Sequence, residues 1–339
     1  MSVGAKNRWA VNARLAATAV ALAILAALPY WVPGTYYVNI GSQILFYAIF
    51  ALAIDILLGL GGLVSLGHAG LFGVTCYAVA VTLAAGFGHA AAIVIALIVT
   101  LVAMAVFALV ALRATGIGFL MITLALGQIL WGLAYRWISV TNGDNGITVE
   151  GRPFGTLLTS AAGFYYATFA AFLLALLLVI TFVRSPLGAA LRGTRDQPRR
   201  MNALGFNVWL TRFFACLFSG LLTGIAAILF VYYNQFISPQ ALALTASAEV
   251  VLMVISGGAS TLLGPIVGAA LVVIMKNVAS GYIERWNFLL GAIFVAIVIF
   301  MPDGIVPGSV RLWRRWRGGR ARTGQLPKIA KDPAPGAMP

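Results

Sequence analysis

The chain has 339 residues, of which 22 are Lys or Arg and 8 are Asp or Glu; charged residues make up 9% and apolar residues 62%. A soluble domain carries roughly 25% charged and about 45–50% apolar residues, so this composition excludes a soluble enzyme and a disordered chain. Unbroken apolar runs of about 20 residues exclude an outer-membrane barrel, whose strands alternate apolar and polar over about 10, and leave an all-α polytopic membrane protein.

The net charge of +14 does not mark a nucleic-acid surface. Lys6, Arg8 and Arg14, six arginines between Arg184 and Arg212, and eight basic residues between Arg311 and Lys331 hold 17 of the 22 cations in three segments outside the apolar runs. That is the positive-inside pattern. Between Ala16 and Leu112 the only formal charge is Asp55. Cys76 and Cys216 lie in apolar stretches, as small packing residues do.

Apolar segments fall near 15–33, 40–58, 62–85, 90–112, 115–137, 163–183, 212–233, 246–257, 261–279 and 287–302. The basic segment 1–14 precedes a membrane domain over 15–302 and a basic tail over 303–339. With residues 1–14 on the cytoplasmic side, the loop 184–211 and the C-terminus fall on that side too, and the loop 138–162 falls outside. The segment 246–257 is short for a core of about 30 Å, so eight to ten crossings are expected.

Two stretches echo one another. Asp55 precedes Gly61, Gly62, Ser65, Gly67 and His68, and Glu249 precedes Gly257, Gly258 and Ser260. Glycine interruptions at matching places are features of broken helices in transporters built from repeats, where freed backbone groups face a cavity or substrate. They equally suit close helix packing, as Gly220-x-x-x-Gly224 and Gly264-x-x-x-Gly268 do. An acidic side chain at mid-span costs ~2.5–3.5 kcal/mol on insertion scales, so Asp55 either lines a pathway or makes a buried hydrogen bond that fixes helix register. Glu249 starts its segment and also suits an interface. His68 suits a hydrogen bond to substrate or to a neighbouring helix, and His89 a solvated outer loop. Thr141-Asn142-Gly143-Asp144-Asn145-Gly146 is a polar turn cluster in the outer loop. In the inner loop, Leu187, Leu191, Met201 and Leu204 suggest an apolar stripe on short surface helices that rest on the membrane or dock into a partner.

Four ordered stretches carry a resemblance over roughly residues 40–308: Gly61 to Gly70, Thr115 to Ala125 with Thr141 to Gly146, Arg184 to Gly205, and Gly257 to Gly268. Together they resemble the LivM-type permease of branched-chain amino acid ABC transporters. The resemblance implies an inner-membrane subunit paired with a second, LivH-type permease, two cytoplasmic ATPases and a periplasmic binding protein. It also implies a coupling segment over 185–205, with Arg192, Arg195, Asp196, Ala203, Leu204 and Gly205 as its candidate residues. Asn142 departs from the family, which often has a second Gly there. Pro198-Arg199-Arg200 likewise replaces a commonly acidic or alanine-rich stretch.

The chain has no G-x-x-x-x-G-K-[S/T] phosphate loop, so no cofactor is expected on it and ATP is expected to be used by the partner subunits. A self-sufficient ion-coupled secondary transporter, with Asp55 or Glu249 binding the ion, is the competing expectation. An intramembrane enzyme fits poorly, because the apolar segments hold no paired carboxylates and no His/Cys/Asp cluster with ligand spacing. The passage suits an amino acid with an apolar side chain, and urea or a small amide equally.

Overall fold

The computed structural model describes residues 34–282 apart from Phe154, with isolated residues and short stretches between 25 and 31 and between 288 and 311. Much of the segments expected at 15–33 and 287–302, and most of both terminal regions, lie outside the described residues. Five helical stretches of 20 to 27 residues are long and apolar enough to cross a membrane, in a chain with one two-stranded ribbon among its described residues.

Helix α1 (Thr35–Asp55) runs into a π-helical turn, Ile56–Leu60, and an extended stretch then leads to α2 (His68–Ala84). α3 (His89–Ala111) and α4 (Ile117–Arg136) follow, then the short α5 (Ile138–Thr141) and strand β1 (Ile147–Thr148). α6 (Ala161–Arg184) leads into the basic loop, which folds as α7 (Pro186–Asp196) and α8 (Pro198–Ala203). α9 (Val208–Asn234), β2 (Phe236–Ile237), α10 (Leu244–Gly257) and α11 (Gly264–Tyr282) complete the described chain.

Local chemistry sets these boundaries. Ser160, Ser185 and Asn207 cap α6, α7 and α9 by accepting the backbone N–H of Gly163, Gly188 and Leu210. Pro186 and Pro198 occupy the first turns of α7 and α8, where no intrahelical donor is lost.

α1 is the central element, and all eight residues from Ala48 to Asp55 are buried. Its start lies beside the end of α9 through Gln43 Nε2, which donates to Tyr233 Oη at 2.9 Å. Its end lies at the basic loop. α2 and α9 run in the same direction, since His68 meets Ser219 and Cys76 donates to the carbonyl of Ala227, each partner having advanced by eight residues. Phe50 and Phe72 stack with ring centroids 4.7 Å apart, and Phe230 meets Phe72 edge-on at 5.1 Å. These rings fill the space where α1, α2 and α9 converge.

α10 and α11 form a hairpin closed on glycine. A Cβ on Gly257 would strike the carbonyl of Gly264, and one on Gly268 the carbonyl of Met253. In α9, Gly220 and Gly224 lie against Met104 and Leu97 of α3. The glycines of the α10–α11 hairpin thus permit close backbone approach, whereas those of α9 make room for α3 side chains. α10 has 14 residues, about 21 Å at 1.5 Å per residue, and turns back before a full crossing.

Candidate functional site

The two glycine interruptions meet, and the basic loop meets them both. Beyond α10 the backbone turns through Gly258 and Ser260, both with positive φ, at 115° and 67°. A residue other than glycine in that region costs roughly 1–2 kcal/mol. Hydrogen bonds across the junction offset that cost: the Ser260 N–H donates to Asp55 Oδ1 at 2.8 Å, and Ser260 Oγ donates to the Gly59 carbonyl at 2.6 Å. That carbonyl belongs to the π turn ending α1, where helix geometry leaves it short of a partner. Gly59 is one helical turn after Asp55, and any Cβ there would collide with the Asp55 carboxylate and the Ser260 backbone.

Arg195, in the last turn of α7, completes the junction. Its Nη1 donates to the Gly59 carbonyl and, at 2.9 Å, to Ser260 Oγ. Gly62, at φ 66°, lies directly under the Arg195 stem, where a Cβ would come within 2.9 Å of Cγ. Leu191, one turn earlier, is fully buried and faces Gly61. One side of α7 is thus seated on the junction. The other side of the loop is exposed at Arg192, Asp196, Arg199, Arg200, Ala203, Leu204 and Phe206. Gly205, at φ 85°, makes the turn that presents Leu204 and Phe206. Of the expected apolar stripe, Leu191 points inward, Met201 packs on Gly193, and Leu204 faces outward.

A second polar cluster lies deeper. His68 is fully buried; its Nδ1 is 2.8 Å from Ser65 Oγ and its Nε2 is 3.0 Å from Ser219 Oγ, which donates to the Ala53 carbonyl at 2.6 Å. The start of α2 leaves backbone donors unmet within the helix, and other elements accept them. Ala69 N–H donates to Ser247 Oγ of α10 at 3.0 Å, and Leu66 N–H to Thr123 Oγ1 of α4 at 3.3 Å. Gly67 permits that approach, since a Cβ there would meet the Thr123 carbonyl and the Phe107 ring. His68 joins α2 to α9 through Nε2, while Nδ1 holds the preceding loop at Ser65.

Asp55 and Glu249, alike in sequence, have different surroundings. Asp55 sits at the junction, whereas Glu249 lies within α10 and pairs with Lys276 of α11 at 3.2 Å. Sequence reading missed Lys276 although it is the only charged residue in the segment 261–279. It also missed Gly59, whose spacing from Asp55 was a usable signal, and Ser219, Ser247 and Thr123, which carried no local signal.

The polar turn 141–146 lies at the opposite end. Asn142 takes a left-handed conformation at φ 58° and its Nδ2 donates to the Gly146 carbonyl at 2.9 Å, closing its own turn. Gly143 is buried, Asp144 and Asn145 are exposed, and Gly146 leads into β1, which pairs antiparallel with β2 through Ile147 and Ile237. His89 differs from the solvated expectation: its Nδ1 lies 3.3 Å from Tyr232 Oη and the residue is half-buried. Cys76 and Cys216 are free and buried, and no group of His, Cys, Asp and Glu among the described residues has a metal-holding arrangement.

Residues 36–298 match the family described as "Branched-chain amino acid transport system / permease component". The chain is 28% identical over 316 residues to the high-affinity branched-chain amino acid transport system permease protein LivM of Escherichia coli K12, covering 85% of this chain and 74% of that one. Its identity to LivM of Salmonella typhimurium is 27% over 329 residues, covering 89% and 76%. The probable branched-chain amino acid transport permease protein LivH of Methanocaldococcus jannaschii matches at 25% over 207 residues, covering 57% and 65%. No solved structure matches.

Proposed function

Because the chain belongs to the family of permease components of branched-chain amino acid transport systems, we propose that it is one of two permease subunits of an ATP-driven importer in the inner membrane. The basic loop then faces the cytoplasm, as the positive-inside rule requires, and two ATPase subunits dock against it. A periplasmic binding protein delivers the substrate at the end bearing residues 138–162. The substrate is a branched-chain amino acid, the class named for the relatives.

The observation that carries this reading is Arg195 bridging Gly59 and Ser260. Movement of α7 is transmitted through that contact to the end of α1 and to the turn between α10 and α11. An ATPase shifts a permease between inward and outward states only through contacts that differ between them. Leu204 and Phe206, exposed beside Arg199 and Arg200, offer apolar and cationic contacts for that purpose. Asp55 is engaged by Ser260, and Glu249 by Lys276, so each acid has a structural partner. That leaves less support for an ion-coupled transporter.

The test is reconstitution of the chain with its second permease, ATPases and binding protein in proteoliposomes. Leucine uptake that needs ATP and all the subunits is the expected result. Uptake by this chain alone, driven by a proton or sodium gradient, would overturn the reading.

A further inference from the structure

Resting on the permease reading, we propose that the outward face of α4, formed by Met121, Ala125, Gln128 and Gly132, packs against the second permease subunit at mid-membrane depth. Helix geometry defines the face. Thr123 and Gly127 point inward, the first receiving the Leu66 N–H and the second lying against Gly67. At 3.6 residues per turn, positions 121, 125, 128 and 132 fall on the opposite side. Met121 and Ala125 are exposed there, and Gln128 and Gly132 are partly so.

Gln128 sets this face apart. It is twelfth in a helix of 20 residues, hence near the middle of the span, and it makes no hydrogen bond to any described residue. An amide left without a partner in an apolar environment costs roughly 1–3 kcal/mol by protein mutational measures. The other mid-helix amide pair of the bundle is satisfied internally, Asn277 Nδ2 donating to Gln43 Oε1 at 3.0 Å. Gly132 has open space where a Cβ would stand, and with Ala125 it leaves the α4 backbone open to close approach.

The outward face of α3 differs. Val94, Ile98, Val102 and Val106 are exposed, all aliphatic, as are Leu173, Leu174 and Leu177 of α6. Those faces suit lipid chains, which need no hydrogen bonds. Depth selects the occupant of the α4 face, because ATPases and a binding protein lie outside the hydrocarbon and cannot reach Gln128. The occupant must itself cross the membrane. The relatives carry two distinct permease names, LivM and LivH, within one kind of transport system, which favours a second, different permease over another copy of this chain. The Gln128 amide then bonds across the interface.

The experiment is co-expression of the four kinds of subunit and purification through a tag on this chain. Ala125→Trp and Gly132→Trp are expected to lower the recovered second permease at least tenfold, whereas Ile98→Trp on α3 recovers it as the unmodified chain does. A photo-crosslinking benzophenone side chain at position 125 covers misfolding of the Trp variants, and it is expected to attach to the second permease while the same group at 98 does not. Full recovery in both Trp variants together with no crosslink from 125 would overturn the proposal. So would a crosslink from 125 to a second copy of this chain. If the unmodified chain brings down no second permease, the permease reading fails first and the face falls with it.

Discussion

The glycine junction at the loop end and the outward face of α4 treat polar groups in opposite ways. At the junction the Gly59 carbonyl, the Ser260 backbone and hydroxyl, the Asp55 carboxylate and the Arg195 guanidinium engage one another within the chain. On α4, the Gln128 amide has no partner among the described residues. Broken backbone in a membrane must be satisfied somewhere, and here the chain does so itself. A lone amide at mid-span leaves the same requirement to another molecule. On the proposed reading, the first region is the mechanical joint and the second the contact surface.

The largest expected effect comes from breaking the joint's scaffold. Gly268→Leu drives a side chain into the Met253 carbonyl where α10 and α11 cross, and is expected to cost about 3 kcal/mol, the upper part of the range for overpacking. Thermal unfolding in detergent measures it. The same substitution at Gly132, which faces open space, is expected to leave the isolated chain's unfolding unchanged.

Ser219→Ala removes the partner of His68 Nε2 and the donor to Ala53. A buried group left unmet costs about 1–3 kcal/mol, read as a lower unfolding midpoint. Asp55→Leu removes the acceptor of the Ser260 N–H in a part-buried bond and is expected to cost about 1 kcal/mol, whereas Asp55→Asn keeps an acceptor oxygen and is expected to retain uptake. Loss of uptake in Asp55→Asn with assembly intact would instead make the charge itself obligatory. At the Glu249–Lys276 pair, within an apolar helix hairpin, Lys276→Met alone leaves Glu249 without its partner and is expected to lower the unfolding midpoint in the same assay more than replacing both by Gln does.

Much of this was legible in the sequence. Apolar runs located each described helix of spanning length, because the bilayer's thickness imposes run lengths that survive without tertiary context. The shortness of 246–257 was legible too, and the helix there has 14 residues. The pairing of Asp55 with Ser260 was not legible, since 205 residues separate them and either acid could have claimed either role. Nor was the role of Arg195, one of several arginines in a loop whose charge has a sufficient explanation in membrane orientation. Gln128 was passed over although it is the only amide in the segment 115–137; what gives it meaning is the helix face on which it falls.

The most direct test of the joint is the ratio of leucine molecules taken up to ATP molecules hydrolysed, in proteoliposomes holding the full transporter with Arg195→Ala. Loss of the guanidinium's bonds to Gly59 and Ser260 is expected to leave ATP hydrolysis near that of the unmodified transporter while the ratio falls on the order of tenfold. An unchanged ratio, with the complex intact, would contradict the assignment of Arg195 as the link between the loop and the broken helices.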